Sequence, residues 1–508
     1  MLLVSYDFVA FLFLLLVVYY LIPRRFQWIC LLAVSYLFYG WGGAFYLLYP
    51  VFTTMSTWFL AARIGRLTQQ SREKSLPRQQ VKKRQRRLLI LGLVVNFGIL
   101  AALKYFNFVV DNVNELLGAA GVLREFSHVN WLFPLGISYY TFQAMGYLID
   151  VYYRKYEPER SLPKLALFVS FFPQMVTGPM TRFDQMRQEL FTPHCYDFTN
   201  IKQGFRRILW GYFKKLVVAD RLGPAILMIV SCPETYDGIY VLLGMVGYAI
   251  WMYADFAGGM DIVLGAARLF GIRLPENFEQ PFFSKSLAEF WRRWHITLMT
   301  WLREYVFFPV AGSRLSRRLA KLMGRKAPVY IASVTVWLIA GIWHGASWNF
   351  VAWGMANCLV MLISQELTGL YRSFHQKFRF SNGKGYGYFQ IMRTFMLFCC
   401  LEMFEYYPFE GVFKMLGSFL SSGSVRQLWD GRFGTLGFCL ADLVVLAGGI
   451  LLIFLADIFQ RTGKLGEKLD RQPGVLQYTV VFGLFILVLI TGVYGHGYDA
   501  SQFIYNQF

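Results

Sequence analysis

Arg84-Gln85-Arg86-Arg87 runs directly into Leu88-Leu89-Ile90-Leu91-Gly92-Leu93-Val94-Val95-Asn96-Phe97-Gly98-Ile99-Leu100-Ala101-Ala102-Leu103. About 20 apolar residues in helical form cross a ~30 Å hydrocarbon layer. A helix is suited to that layer because it satisfies its own backbone hydrogen bonds. Basic residues that abut such a run stay on the cytoplasmic side. This junction therefore reads as a chain entering a bilayer, and it sets the register for the rest.

Working back toward the N-terminus, apolar stretches at residues 5–22, 27–42 and 45–62 read as three earlier spans. They lead into the most basic segment, residues 63–87, where Arg63, Arg66, Arg72, Lys74, Arg78, Lys82, Lys83, Arg84, Arg86 and Arg87 face one acid, Glu73. Placing this segment inside puts the N-terminus outside after three crossings. Arg24 and Arg25, one crossing in, then also fall inside. The first apolar stretch lacks a basic n-region and a clear cleavage site, so it reads as a retained span. A fourth span over 88–106 returns outward, residues 111–130 lie outside or along the surface, and 131–153 crosses inward to Arg154-Lys155.

Residues 165–180 are apolar but broken by Phe171-Phe172-Pro173 and Gly178-Pro179, which predicts a re-entrant segment. Residues 205–229 carry Arg206, Arg207, Lys214, Lys215, Asp220 and Arg221 within an apolar run, and read as an amphipathic helix partly in the interface before it crosses. Further spans follow at 238–256, 329–343, 348–366, 389–404, 436–458 and 475–494. Residues 268–326 are too polar for a simple span and too aromatic for a solvated loop. The expectation is an all-α integral membrane protein of about 10–12 transmembrane helices with re-entrant and interfacial helices. It would form one polytopic body over 1–508, with N-terminal spans in 1–106, a central region over 131–366 and C-terminal spans over 388–508.

Composition agrees. The 508 residues are 56% apolar, 19% aromatic and 16% charged, well below the roughly one-quarter charged content of soluble chains. The net charge of +20 lies in short blocks between apolar runs. A nucleic-acid binder would gather it on one solvated face, so nucleic acid is excluded as a partner. The seven scattered cysteines form no C-x-x-C pair and suggest neither a disulfide framework nor a zinc site.

Two of the six histidines stand out. His344, in Gly341-Ile342-Trp343-His344-Gly345-Ala346-Ser347-Trp348-Asn349, sits where one span meets the next, and an ionisable group at such depth is a functional candidate. A histidine satisfied by neighbouring backbone is an equally weighted reading. His295 lies in Phe290-Trp291-Arg292-Arg293-Trp294-His295-Ile296-Thr297-Leu298. Its arginines can stack on tryptophan or grip phosphate and carboxylate, or can snorkel from an interfacial helix. Asp255 and Asp261 are either paired acids near a cavity or carboxylates at a helix end in the interface. No H-e-x-x-H motif, Walker A loop, G-x-S-x-G elbow or G-x-G-x-x-G fingerprint is present, and no metal is expected.

Four segments, read in order, resemble the membrane-bound O-acyltransferase family, and within it the alginate O-acetylase membrane subunit type. They are Phe133-Pro134-Leu135-Gly136-Ile137-Ser138-Tyr139-Tyr140-Thr141-Phe142-Gln143 with 147–152; Phe171-Phe172-Pro173-Gln174 with Gly178-Pro179; Tyr253-Ala254-Asp255-Phe256 through Pro275-Glu276-Asn277-Phe278 to Trp294-His295 and Trp301-Leu302-Arg303-Glu304-Tyr305; and Gly341-Ile342-Trp343-His344-Gly345-Ala346. The pattern departs where Ala257, Gly259 and Met260 replace two serines and a tyrosine, and where Cys399-Cys400-Leu401-Glu402-Met403-Phe404-Glu405 lacks an arginine. The terminal 503–508 resembles family tails, whose aromatic end would sit at the interface.

The resemblance implies a ring of tilted helices around a central catalytic channel, with 131–366 as the catalytic core. It implies His344 as the main catalytic residue and His295 as the second. Arg292, Arg293, Trp294, Arg303, Asp255, Trp343 and Asn277 are the candidates for binding substrate or donor. It further implies acetyl-CoA as acyl donor, with no bound cofactor, and a bacterial cell membrane location. The acceptor side would be a separate extracytoplasmic partner of the serine-hydrolase-like (SGNH) type acting on a polysaccharide. Two rivals remain. One is D-alanyl transfer to teichoic acid, served by a carrier protein. The other is a multispan transporter with buried histidines as a proton relay, against which no matching halves are seen.

Overall fold

A computed structural model describes residues 2–495 and 498, apart from 74–75, 123–124, 131–133, 135, 462 and 464 and the side chain of 176. Lys74, Trp131, Phe133, Leu135, His496 and the aromatic tail 503–508 lie outside the described residues. Helices joined by turns make up the described chain, with no strand among the described residues. The chain divides into two compact units, Met1–Phe205 with Val263–Pro275 and Arg206–Ile262 with Glu276–Phe508.

The first unit contains α1 (Tyr6–Leu21), α2 (Gln27–Gly40), α3 (Leu48–Arg72), α4 (Arg78–Ala119), α5 (Ile137–Tyr152), α6 (Leu162–Ser170), α7 (Phe172–Thr177) and α8 (Phe183–Phe191). α3, α4 and α5 pack on one another. The approach is close at Gly92 of α4, where an added methyl would overlap Leu148 of α5 and press on Leu60 of α3. Polar side chains tie the same helices: Gln85 Nε2 donates to the Ile64 carbonyl (3.1 Å) and Asn96 pairs with Ser56 (3.3 Å). Such interhelical bonds matter where lipid offers no alternative partner.

α4 is 42 residues long, about 63 Å at 1.5 Å per residue. The basic segment 63–87 is therefore the end of α3 and the start of α4, with only a short turn between. The fourth helix also continues beyond residue 106, into the stretch expected outside or along the surface.

α5 is buried on every side from Ile137 to Val151. It supports the break expected in 165–180. The chain leaves α6 at Ser170, and α7 starts at Phe172 with Pro173 in its first turn. Proline fits there because its missing N–H would have no helical partner. Gln143 of α5 donates to the Phe168 carbonyl (2.9 Å), and the Phe172 N–H donates to Ser35 Oγ of α2 (3.1 Å). Irregular backbone is thus satisfied by protein.

The second unit holds the end of α9 (Phe198–Tyr212) and α10 (Asp220–Ser231), joined by a wider π-type turn, Phe213–Ala219. α11 (Ile239–Leu269) begins here. It is followed by α12 (Leu287–Arg293), α13 (Ile296–Leu302), α14 (Phe308–Ala311), α15 (Arg314–Met323), α16 (Ala327–His344), α17 (Trp348–Glu366), α18 (Thr368–Lys377), α19 (Lys384–Tyr406), α20 (Phe409–Ser422), α21 (Leu440–Gln460), α22 (Leu465–Asp470) and α23 (Gly474–Thr491). Residues 268–326, too polar for a span, are a run of short helices.

Residues 205–229 differ from the interfacial expectation. Lys214 and Lys215 are buried, because each meets carboxylates. Lys215 Nζ lies 2.6 Å from Asp255 and 2.7 Å from Asp220, and Lys214 Nζ lies 2.8 Å from Asp261. Arg207 joins through Asp261 (2.9 Å) and through Glu276. Asp255 and Asp261 lie within the 31-residue α11 rather than at its end. Gly258 lets the two segments touch, since a methyl there would press on the Gly211 carbonyl and the Lys215 N–H.

Five helices, α4, α11, α16, α21 and α23, are long and apolar enough to cross a membrane, or six if α17 and α18, bent by 50°, form one crossing. Only 6% of the apolar stretch of α23 is buried in protein, so nearly all of its apolar surface faces away from the rest of the chain. This is a multi-pass membrane protein. α1, α2 and α5, also expected as crossings, are 16, 14 and 16 residues long.

Replacing Lys215 by Met removes the cation between two buried carboxylates and is expected to cost about 3–5 kcal/mol. Lys414→Met, at an exposed pair with Glu234, should cost under about 1 kcal/mol. Thermal unfolding of the two purified variants in detergent checks the contrast, and equal midpoints would count against the buried network.

Candidate active site

α16 and α17 form an antiparallel hairpin whose turn begins at His344. A methyl at Gly341 would overlap the Phe350 carbonyl, and one at Gly354 would overlap the Trp337 carbonyl. Small residues at such crossings let helix backbones meet. Gly345 is hemmed in likewise by the Phe350 ring, which accounts for the glycine after the histidine. The His344 ring centroid lies 4.5 Å from that of Trp353 and 5.2 Å from that of Trp343.

Trp353 Nε1 donates to Glu402 Oε1 (3.1 Å) and so connects the hairpin to α19. One turn further along α19, Glu405 Oε1 is 3.3 Å from His344 Nδ1, and its other oxygen accepts from the Tyr248 hydroxyl (3.0 Å). The Glu405–His344 contact is at ion-pair distance without hydrogen-bond alignment; the nearby negative charge favours a proton on Nδ1, leaving Nε2 to accept one.

His295 sits between α12 and α13 with left-handed backbone (φ 44°, ψ 51°). That region is costly for a residue with a Cβ, by about 1–3 kcal/mol, and persists only where surroundings enforce it. Here they do. Ile296 N–H donates to the Asn277 carbonyl (3.0 Å), and Glu279 N–H donates to the Arg293 carbonyl (2.9 Å). Asn277 Oδ1 accepts from both the Thr297 N–H (3.0 Å) and its hydroxyl (2.9 Å). With Oδ1 so engaged, the 3.1 Å contact of Nδ2 with His295 Nδ1 is a bond in which the amide donates; the 3.3 Å Oδ1 contact is the weaker alternative. The neutral ring then carries its proton on Nε2, opposite to His344.

Phe256 meets the His295 ring edge-on at 4.9 Å and Trp343 lies 5.8 Å away. Both histidines therefore contact one indole, that of Trp343, and both are buried.

Of the residues singled out from sequence, His344, His295, Trp343 and Asn277 come together. Trp294 is buried in an aromatic cluster with Phe278 (5.0 Å) and Phe290 (5.5 Å). Asp255 is held by Lys215. Arg293 pairs with Glu289 (2.7 Å), one turn away, while Arg292 and Arg303 are exposed. Of the other histidines, His128 contacts Asp111, His194 contacts the Glu189 carbonyl and His375 contacts Ser381.

Sequence reading missed Glu405, Glu402, Tyr248 and Trp353. A signal was present: two acids close an apolar run, at a cost that demands partners. Ending the span at Phe404 hid it.

The model of the membrane-bound O-acyltransferase family matches residues 15–407. The chain belongs to that family. Members are O-acyltransferases, and so is this enzyme. It is 35% identical over 360 residues to a probable alginate O-acetylase of Azotobacter vinelandii, covering 70% of this chain and 67% of the relative. The counterpart in Pseudomonas syringae pv. tomato is 30% identical over 462 residues, covering 90% and 82%. A teichoic acid D-alanyltransferase of Bacillus subtilis is 28% identical over 230 residues, covering 45% and 58%.

Asn277→Ala leaves the Thr297 donors and the His295 ring without the amide and is expected to cost about 1–3 kcal/mol. The measurement is the unfolding midpoint of the purified acyltransferase in detergent. An unchanged midpoint would remove Asn277 as the clamp of the 293–297 turn.

Proposed function

We propose that this O-acyltransferase moves an acetyl group from cytoplasmic acetyl-CoA, across the cell membrane, to an extracytoplasmic acceptor for O-acetylation of a surface polysaccharide. The observation that carries this reading is the pair of buried histidines that both contact the Trp343 ring, one of them backed by a carboxylate. Protons and acyl groups can be handled there in a site enclosed by aromatic side chains.

His344 acts as general base. Its Nε2 takes the proton of the attacking hydroxyl as the oxygen bonds to the thioester carbonyl carbon. The C–S bond then breaks, and the proton passes to the leaving thiolate, giving the O-acetyl ester and free thiol. Glu405 steadies the transient imidazolium through Nδ1 and holds the tautomer, with Tyr248 fixing the carboxylate. His295, with its proton on Nε2, is suited to donate a hydrogen bond to the developing oxyanion. Arg292 and Arg303, exposed and cationic, remain candidates for the donor's phosphates.

The acceptor side needs a partner, and a separate serine-hydrolase-like (SGNH) protein outside the cell is the expected one. An N-terminus outside and the basic ends of α3 and α4 inside fit the positive-inside rule. D-alanyl transfer is the second reading, carried by the teichoic acid relative. The higher identity and wider coverage of the alginate-type relatives favour acetyl.

His344→Ala, at normal membrane abundance, should cut ester-linked acetate released from surface polymers by mild base about 10²–10⁴-fold. Glu405→Gln should give a smaller loss in kcat with KM little changed. Undiminished acetate with diminished ester-linked D-alanine would move the assignment to D-alanyl transfer. Undiminished release of both would sink the role of His344.

A further inference from the structure

Because α16 and α17 are antiparallel, the segments before Ala327 and after Glu366 emerge at one end of the hairpin, away from the His344 turn. Lys326 Nζ and the Tyr330 hydroxyl, each 2.5 Å from a Glu366 oxygen, mark that end. α15 leads into it.

Residues of α15 sort onto three faces. Ser316 is buried, its hydroxyl donating to the Val310 carbonyl (2.6 Å), so this side meets protein. Leu315, Leu319 and Leu322 follow one another by four and three residues and share a second side, and Met323 at the helix end lies between that side and the Ser316 side. Leu315, Leu322 and Met323 are 64%, 82% and 69% exposed. Arg314, Arg317, Arg318 and Lys321 occupy the third side, all exposed. No carboxylate falls between Ser313 and Lys326.

After the hairpin, Phe374 gathers Phe378 (5.0 Å), Phe380 (5.8 Å) and Tyr386 (5.9 Å). Exposed cations flank this cluster, and no acid occurs between Glu366 and Glu402.

We propose that α15, with the aromatic cluster at the end of α18, binds anionic phospholipid at this end of the hairpin. A short helix with cations beside an exposed leucine face is the pattern of a helix lying in the headgroup layer, its apolar side chains among acyl chains and its guanidinium groups on phosphate. Aromatic rings prefer the same depth. Charge complementarity selects an anionic lipid over a zwitterionic one, and the leucine face selects a lipid over a soluble phosphate.

The test uses the full-length purified protein in detergent, with phosphatidylglycerol and phosphatidylcholine added in equal amounts and bound lipid counted by native mass spectrometry. The triple variant R317Q/R318Q/K321Q should lose its preference for phosphatidylglycerol by about tenfold or more. K82Q/K83Q/R86Q removes the same charge from the basic segment before Leu88, which attracts anionic lipid diffusely, and should lose clearly less of the preference than the α15 triple. L315S/L322S should weaken binding without any change of charge. Monodisperse elution confirms that each variant is folded.

Equal loss in both triple variants would mean a bulk charge effect and overturn the proposal. So would displacement of phosphatidylglycerol by soluble glycerol phosphate, which would mark a small-anion site. An unchanged lipid preference accompanied by lost self-association would assign the face to a second copy of the chain and overturn it equally.

Discussion

Where Gly341 meets the carbonyl of Phe350 and Gly354 meets that of Trp337, α16 and α17 touch through their backbones. Larger residues would push the helices apart by the width of a side chain. At the observed separation Trp353 lies against the His344 ring, and its indole N–H reaches Glu402. That bond seats α19, which brings Glu405 to Nδ1 of His344. The carboxylate contact at the histidine is thus a consequence of two missing side chains some way along the hairpin. Lipid tails provide no hydrophobic drive between helices, so contact of this kind and interhelical hydrogen bonds carry much of the association.

A second constraint runs through both compact units: polar groups withdrawn from water need partners within the protein. At the α6–α7 break, Gln143 and Ser35 take up exposed backbone groups. Around the π-type turn at 213–219, three cations meet Asp220, Asp255, Asp261 and Glu276. At His295, a side-chain amide and two backbone bonds impose a left-handed residue. Each solution uses residues distant in sequence. Each holds a shape that an uninterrupted helix would not adopt, a widened turn in one case and a strained histidine in another.

Legibility in the sequence followed locality. Apolar runs, the basic stretch before Leu88 and the Pro173 break are properties of neighbouring residues, and they appeared as helices and a break close to where the sequence indicated. Helix ends were less legible. α4 runs on to Ala119 because Asp111 and Glu115 interrupt hydropathy, while no proline falls between Pro77 and Pro134 to break the helix. Lys214 and Lys215 looked interfacial because a lysine in an apolar run usually snorkels; only the carboxylates on α11 and α10 make their burial tolerable. Asp255, a candidate for binding substrate, turned out to answer Lys215.

By itself the sequence determined that the chain is helical, that it lies in a membrane, which family it belongs to and which two histidines deserve scrutiny. Those conclusions rest on hydropathy, which adds residue by residue, and on short motifs whose members are neighbours. Only the tertiary structure decided what each imidazole faces: a carboxylate from α19 for His344, and an amide from the 277 turn for His295. Such pairings are set by the packing of remote segments, and in a low-dielectric interior one neighbouring charge or hydrogen bond is enough to determine which ring nitrogen holds the proton.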